Sequence, residues 1–225
     1  MANVRQQGFT LVELVAAIGI ILVMAAILFP VFAKPHDGCC TPSCNSNERQ
    51  LTLAFMQYAE DYDDKLPARL TGDEAHSWRL AVDPYVKNRQ VFACPRNPAA
   101  TQLCWDGVFA RSYGVNGQDD QMPPAPMAAE GRSVKLSALA FPERLILIAE
   151  SNQGWSDIPI FTVGGASFFC GHRRKANFAF CDGHVKTMTW AATGRPFNLW
   201  QIDGWDRPAP ASLQANLASV DKAGR

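Results

Sequence analysis

Three groups of side chains have the type and spacing to do chemistry. His172, Asp182 and His184 fall within one short stretch, and a histidine beside a carboxylate is the pairing that acid–base or metal-assisted reactions use. No nucleophile elbow, phosphate loop or HExxH motif accompanies them. A histidine that hydrogen-bonds the turn and pins a hairpin explains the same residues without a reaction. His36, Cys39, Cys40 and Cys44 could supply zinc ligands, since thiolate and imidazole suit that metal. Adjacent Cys39 and Cys40 are not a finger spacing, however, and disulfides or buried thiols fit them better. Asp61, Asp63 and Asp64 could hold calcium through carboxylate oxygens, or simply end a helix in solvent. The chain is read as having no catalytic residue and no cofactor.

The elements that must position these groups begin at the N-terminus, where Gly8-Phe9-Thr10-Leu11-Val12-Glu13 precedes the uncharged apolar run Leu14 to Ala33. As a helix at about 1.5 Å per residue, that run spans roughly 30 Å, the thickness of a bilayer's hydrocarbon core. An ionised carboxylate within such a core costs at least ~2.5 kcal/mol, so Glu13 at the edge of the run needs a partner. The arrangement reverses that of a secretory signal, in which the cleavage site follows the apolar core. Here the leader Met1–Gln7 carries only Arg5 as a charge, and the glycine comes before the apolar run.

This stretch resembles the class III signal of type IV prepilins and of the pseudopilins of type II secretion. The resemblance implies cleavage by a prepilin peptidase between Gly8 and Phe9 and N-methylation of Phe9. It also implies that Glu13 pairs with the Phe9 amine of a neighbouring subunit, which sets axial register. Pro30 matches a proline that many pilins place late in this helix, where a missing donor and a ring clash give a kink. The expected division is a leader at 1–8, a transmembrane and filament-core helix at 9–33, and a globular ectodomain at 34–225.

Past that helix, about 190 residues suffice for one domain with a real core. Lys plus Arg and Asp plus Glu each total 21, so no net field draws the protein to nucleic acid or anionic lipid. The basic run Arg173-Arg174-Lys175 reads as solvated edge charge. Seven cysteines, at 39, 40, 44, 94, 104, 170 and 181, are many for a cytosolic domain. An ectodomain delivered across the inner membrane meets oxidising conditions, so disulfides are expected, with Cys94–Cys104 and Cys170–Cys181 the sequence-local pairs to test first. The odd number leaves one thiol over or implies a link between chains.

Helix breakers at Lys34–Gly38 and Thr41-Pro42 predict a joint, followed by a helix capped by Ser43, Asn45 or Ser46. Leu51, Phe55, Tyr58 and Tyr62 recur at spacings of four, three and four, a face for a sheet to cover. Trp78–Val86 predicts a short amphipathic helix and Val91–Pro95 an extended piece. Ser112–Gly117 predicts strand and turn, Asp119–Pro126 an exposed loop, and Leu145–Ala149 a buried central strand. Phe178 and Phe180 alternate with smaller residues ahead of Asp182-Gly183, a hairpin signal because glycine accepts the positive φ of such turns. The tail from Gly194 carries Trp200, Trp205 and a weak helix with Leu213, Leu217 and Val220 on one side, which could cover the sheet or bind a neighbour. The fold class is α+β and pilin-like: a long N-terminal hydrophobic helix, plus an ectodomain helix packed on an antiparallel sheet.

His172, nine intervening residues, then Asp182-Gly183 resembles the H-X9-DG signature, here segment 172–183, of a bacterial group of prepilin-like proteins. Cys44-Asn45-Ser46-Asn47, Phe92-Ala93-Cys94-Pro95, Ser112-Tyr113-Gly114-Val115-Asn116-Gly117 and Phe141-Pro142-Glu143 are similar to other pieces of that group. The implied function is structural, as a subunit of a type IV pilus-like or type II secretion pseudopilus filament. Implied partners are identical or related pilin subunits in a helical homo-oligomer, the prepilin peptidase, the inner-membrane assembly machinery and the membrane, with no nucleic acid. The implied location is the bacterial inner membrane as precursor, then a periplasmic or cell-surface filament. Two alternatives stand beside it: a minor or tip pilin binding DNA or a surface ligand, and a membrane-anchored metal-dependent enzyme using His172, Asp182 or His184.

Overall fold

The computed structural model describes residues 10–32, 40–118, 124–129, 131–155, 158, 168–204 and 206–223. Gly8, Phe9, His36 and Cys39 lie outside the described residues, as does the Lys34–Gly38 joint. Two compact units divide the chain, Met1–Gly38 and Cys39–Arg225, and each is described by itself.

The first unit is built on α1 (Leu11–Phe32), 22 residues long, which at about 1.5 Å per residue is roughly 33 Å. Thr10 starts it with a capping box. Its backbone N–H donates to Glu13 Oε2 at 2.9 Å and its hydroxyl to the same oxygen at 2.7 Å, while the Glu13 N–H returns to Thr10 Oγ1 at 3.3 Å. Donors left over at a helix start are thereby satisfied. Pro30 lies inside the helix, near its C-terminal end. Side chains of α1 are described as far as Ala26, and over the described residues no helix is long and apolar enough to cross a membrane. Leu11, Val12, Leu14, Val15, Ile18 and Leu22 are all exposed.

In the second unit α2 (Cys40–Asp61) comes first. It begins earlier than the expected caps at Ser43–Ser46, with Pro42 in its first turn, where a missing N–H costs no intrahelical bond. Leu51 and Phe55 are buried as expected, but Tyr62 lies beyond the helix and is 53 % exposed, stacked on Tyr58 at 4.2 Å. The inward face runs instead through Cys44, Glu48, Leu51, Thr52, Phe55 and Ala59.

After α2 come β1 (Leu70–Thr71), β2 (Asp73–Ser77) and α3 (Trp78–Val82), then a 3₁₀ turn at Asp83–Tyr85 that completes the short helix expected over Trp78–Val86. Val91–Pro95, expected to be extended, instead begins in a 3₁₀ turn over Arg89–Phe92, whose cap Asn88 accepts the Gln90 N–H at 2.9 Å. Short strands β3 (Tyr113–Val115), β4 (Gly117–Gln118) and β5 (Met127–Ala128) follow, then β6 (Ile146–Glu150), β7 (Ala176–Phe180), β8 (Val185–Met188) and α4 (Ala211–Ala223).

The main sheet has the order β3-β6-β7-β8, antiparallel throughout. β6 is interior and buried at every position, which is why its first four residues are continuously apolar rather than alternating. β7 and β8 form the expected hairpin, with Gly183 at φ +95° in the turn.

The sheet separates two cores. On one face, Leu51 and Phe55 of α2 pack with Trp78, Phe92, Val115, Leu147, Ile148 and Ala179. On the other, Ile146, Ala149, Phe178 and Phe180 pack with Trp190, Trp200, Leu213, Leu217 and Val220. The tail therefore covers the sheet. Trp190 and Trp200 stack at 5.8 Å, and Phe178 meets both edge-on. Asp221 of α4 accepts the backbone N–H groups of Trp190 and Ala191, each at 2.9 Å. β6 carries a register shift between Ile146 and Ile148. An extra residue there reverses the strand's alternation, so Leu147 and Ile148 share one core and Glu150 turns toward the face that α2 covers.

Candidate functional site

Two features stand apart from ordinary packing: the capped start of α1, and a polar centre buried between α2 and the sheet. In the first, the carboxylate of Glu13 is held at the head of an exposed apolar helix by Thr10. The sequence pattern Thr-x-x-Glu before an apolar run is itself a capping signal, and it was legible beside the motif.

The second centre is organised by Glu150 at the end of β6. Its Oε1 lies 2.7 Å from His172 Nε2, its Oε2 accepts the Asn177 backbone N–H at 2.9 Å, and the Asn177 side-chain amide donates to Oε1 at 3.3 Å. Asn177 is oriented in turn by the Thr187 hydroxyl at 2.6 Å. His172 stands in a tight turn in which its N–H donates to the Lys175 carbonyl and the Lys175 N–H returns to its own. The Phe169 ring meets the imidazole edge-on.

Cys94 Sγ lies 3.7 Å from the same His172 Nε2. Cys94 is joined to Cys44 in a disulfide that ties α2 to the segment after the Arg89–Phe92 turn, 50 residues away. Closing a loop of that size constrains the unfolded chain by roughly 4 kcal/mol. The expected pairs Cys94–Cys104 and Cys170–Cys181 are thereby corrected: Cys104, Cys170 and Cys181 are buried and lie outside the disulfide, and burial pushes the Cys170 and Cys181 thiols upward. Proximity in sequence misled because the Leu103↔Ala110 bridge holds Cys104 in its own small loop.

Of the expected zinc ligands, His36 and Cys39 are not described and Cys40 begins α2, whereas Cys44 points into this centre. Glu48, one turn further along α2, is fully buried, and its oxygens find no hydrogen-bond donor among the described residues. Burial first, and then the Glu150 charge, push the Glu48 carboxyl well above the usual range. Burial also raises Glu150, opposed by its bonds to His172 and Asn177.

His172 and Asp182, expected to act together, serve different places. Asp182 sits at the exposed hairpin tip, where Oδ1 accepts the His184 N–H at 3.1 Å and meets His184 Nδ1 at 2.6 Å. The turn is thus pinned by His184, which stacks on Phe180 at 4.2 Å, and not by His172. Arg173, Arg174 and Lys175 are exposed, the two arginines with φ near +54° and +65°. The acids at the end of α2 are engaged separately: Asp61 accepts the Tyr85 hydroxyl at 2.8 Å, and Asp64 accepts the Ser137 N–H at 2.7 Å.

Cys94 and Glu150 both approach the same nitrogen of His172, Nε2, and Cys94 is held in the disulfide, so the three do not form the nucleophile–base–carboxylate relay of covalent catalysis, in which the base uses its two nitrogens separately. His172 is 3 % exposed and Glu150 and Cys94 are fully buried, so a substrate cannot reach the sulfur in this conformation.

Residues 3–29 match the family model for the prokaryotic N-terminal methylation motif. The match supports a type IV pilin-like protein. It points to a structural subunit, and in general such motifs are those of precursors processed by a prepilin peptidase and assembled with related pilins. Neither a curated protein nor a solved structure matches the chain.

Proposed function

We propose that the chain is a structural subunit of a type IV pilus-like or type II secretion pseudopilus filament. The observation that carries this reading is the coincidence of the methylation motif at residues 3–29 with a capped helix whose large apolar side chains from Leu11 to Met24 are exposed. Such a helix must be covered by lipid or by other copies, and a filament core of bundled helices covers it in the assembled state. In this reading the precursor is held in the inner membrane by the apolar run, cut between Gly8 and Phe9, and methylated on Phe9. It is then extracted into the filament, at the periplasmic face or the cell surface. Membership of the H-X9-DG group belongs to the same reading.

Glu13 has the central part. The capping box holds its carboxylate at the head of α1, and in this reading the carboxylate pairs with the Phe9 amine of a neighbouring subunit. The test is a Glu13→Leu variant, which keeps the apolar run and loses the charge. It should enter the membrane and be cut normally, yet fail to appear in sheared surface material. Wild-type amounts of the variant in that material would refute the assembly role.

A further inference from the structure

We propose that Cys44, Cys94, Glu150 and His172 form a closed four-coordinate site for a divalent metal of the zinc class when the two cysteines are thiolates. The filament reading assigns no metal to these residues, and the inference does not rest on it.

The four donors come from four separate segments: α2, the stretch after the Arg89–Phe92 turn, the end of β6 and the turn before β7. Their ligand atoms lie within 4.8 Å of one another, and all four residues are buried. A tetrahedral zinc ion, with bonds of about 2.3 Å to sulfur and about 2.0–2.2 Å to nitrogen or oxygen, holds its ligand atoms roughly 3.3–3.8 Å apart. The Cys94 Sγ to His172 Nε2 distance of 3.7 Å already has that value. His172 Nε2 and Glu150 Oε1, at 2.7 Å, need to part by only about an ångström. Two thiolates, an imidazole and a carboxylate are a donor set that suits zinc over the hard cations calcium and magnesium. Full burial with no open position is the form of a structural site rather than a catalytic one.

The surroundings agree. Asn177 orients Glu150 through its backbone N–H and its side-chain amide, the kind of outer contact that fixes a metal ligand. Glu48 is a second and independent sign. It is a fully buried carboxylate one turn from Cys44, near enough to Glu150 for the two charges to interact, with no hydrogen-bond donor at either oxygen among the described residues. A cation in the cluster would give this otherwise unpartnered buried carboxyl an opposite charge to face.

Disulfide and metal are alternative ties between the same elements. A chain in a reducing compartment carries the dithiol. On binding, the two thiols give up their protons to solvent and the metal bridges α2 to the sheet. The bond that the disulfide makes in the oxidised chain is then made by the ion.

The test uses the full-length chain, purified in detergent under a reducing agent after expression with added zinc. About one zinc per chain is expected, with Cys44 and Cys94 protected from alkylation and both released by a chelator. Glu150→Gln should lose zinc to a competing chelator at least about tenfold more readily, and the Cys44→Ser/Cys94→Ser double variant should carry none. Folded, reduced chain without zinc would overturn the proposal, as would protection of Cys44 and Cys94 that is unchanged by the chelator, or zinc retained by the double variant. Should that variant not fold, cobalt-loaded wild type decides. Tetrahedral thiolate–cobalt absorption supports the site, and an octahedral spectrum overturns it.

Discussion

His172 Nε2 lies 2.7 Å from Glu150 Oε1, with both side chains 1 % exposed or less, and this contact joins the turn before β7 to the end of β6. Removing one partner takes from the other its shortest side-chain contact in a fully buried site. His172→Ala and Glu150→Ala should therefore each cost roughly 3–5 kcal/mol in urea unfolding of the oxidised chain. A His172→Leu/Glu150→Leu double replacement should cost clearly less than the sum of the single changes. Additive, small losses would mean that the pair is not coupled.

Glu48 makes stability depend on pH in a direction opposite to that of most acids. Its folded carboxyl holds its proton well above the ordinary value of 4.5, whereas the unfolded chain releases it near that value. Above pH 4.5 the folded state therefore binds more protons than the unfolded state, and stability falls as pH rises toward the folded pKa. Glu48→Gln should remove this slope and unfold at higher urea than wild type at neutral pH, measured on the oxidised chain. A slope unchanged by the substitution would contradict the assignment.

The cysteines can be read by peptide mapping. Non-reducing digestion of protein from the oxidised state should yield one linked peptide pair containing Cys44 and Cys94. Cys104, Cys170 and Cys181 should react with alkylating reagents only after unfolding. Loss of the bridge in Cys94→Ser should cost about 2–5 kcal/mol. A Cys94–Cys104 peptide would reinstate the sequence-local pairing.

Much of the fold was legible because local pattern and tertiary environment agreed. The apolar run 145–149 became the interior strand β6, and Asp182-Gly183 became the β7–β8 turn. Leu213, Leu217 and Val220 became the buried side of α4. The polar centre was not legible, for a physical reason. Glu150 ends an apolar strand and reaches the α2 face only because of a one-residue register shift, and its partners are 22 and 27 residues away. Cys44 and Cys94 are 50 apart. Spacing reports neighbours on one element, and this cluster is assembled from four. The sequence brought His172 and Asp182 together by the same logic, and the fold separates them.

Gly183 offers a backbone test free of packing. A Cβ built there meets nothing within 4 Å, yet φ is +95°. Gly183→Ala should therefore cost about 1–2 kcal/mol through conformation alone, without altering the core. No measurable loss would show that the hairpin turn adopts another geometry.

The role of the tail is tested at Trp200, which is fully buried against Trp190 and Phe178 and whose indole N–H donates to Thr193 Oγ1 at 2.7 Å. Trp200→Ala should destabilise the second unit, Cys39–Arg225, by roughly 3–5 kcal/mol, read as a lower urea midpoint. An unchanged midpoint would mean that the tail is dispensable to the sheet and free for another partner.

The central claim is that this chain is processed and assembled as a filament subunit, and mass spectrometry of its N-terminus tests it most directly. Protein should be taken separately from sheared surface or periplasmic filaments and from membranes. The account predicts a peptide that begins at N-methylated Phe9 and is abundant in the filament fraction. An intact Met1–Gly8 leader in both fractions would contradict it.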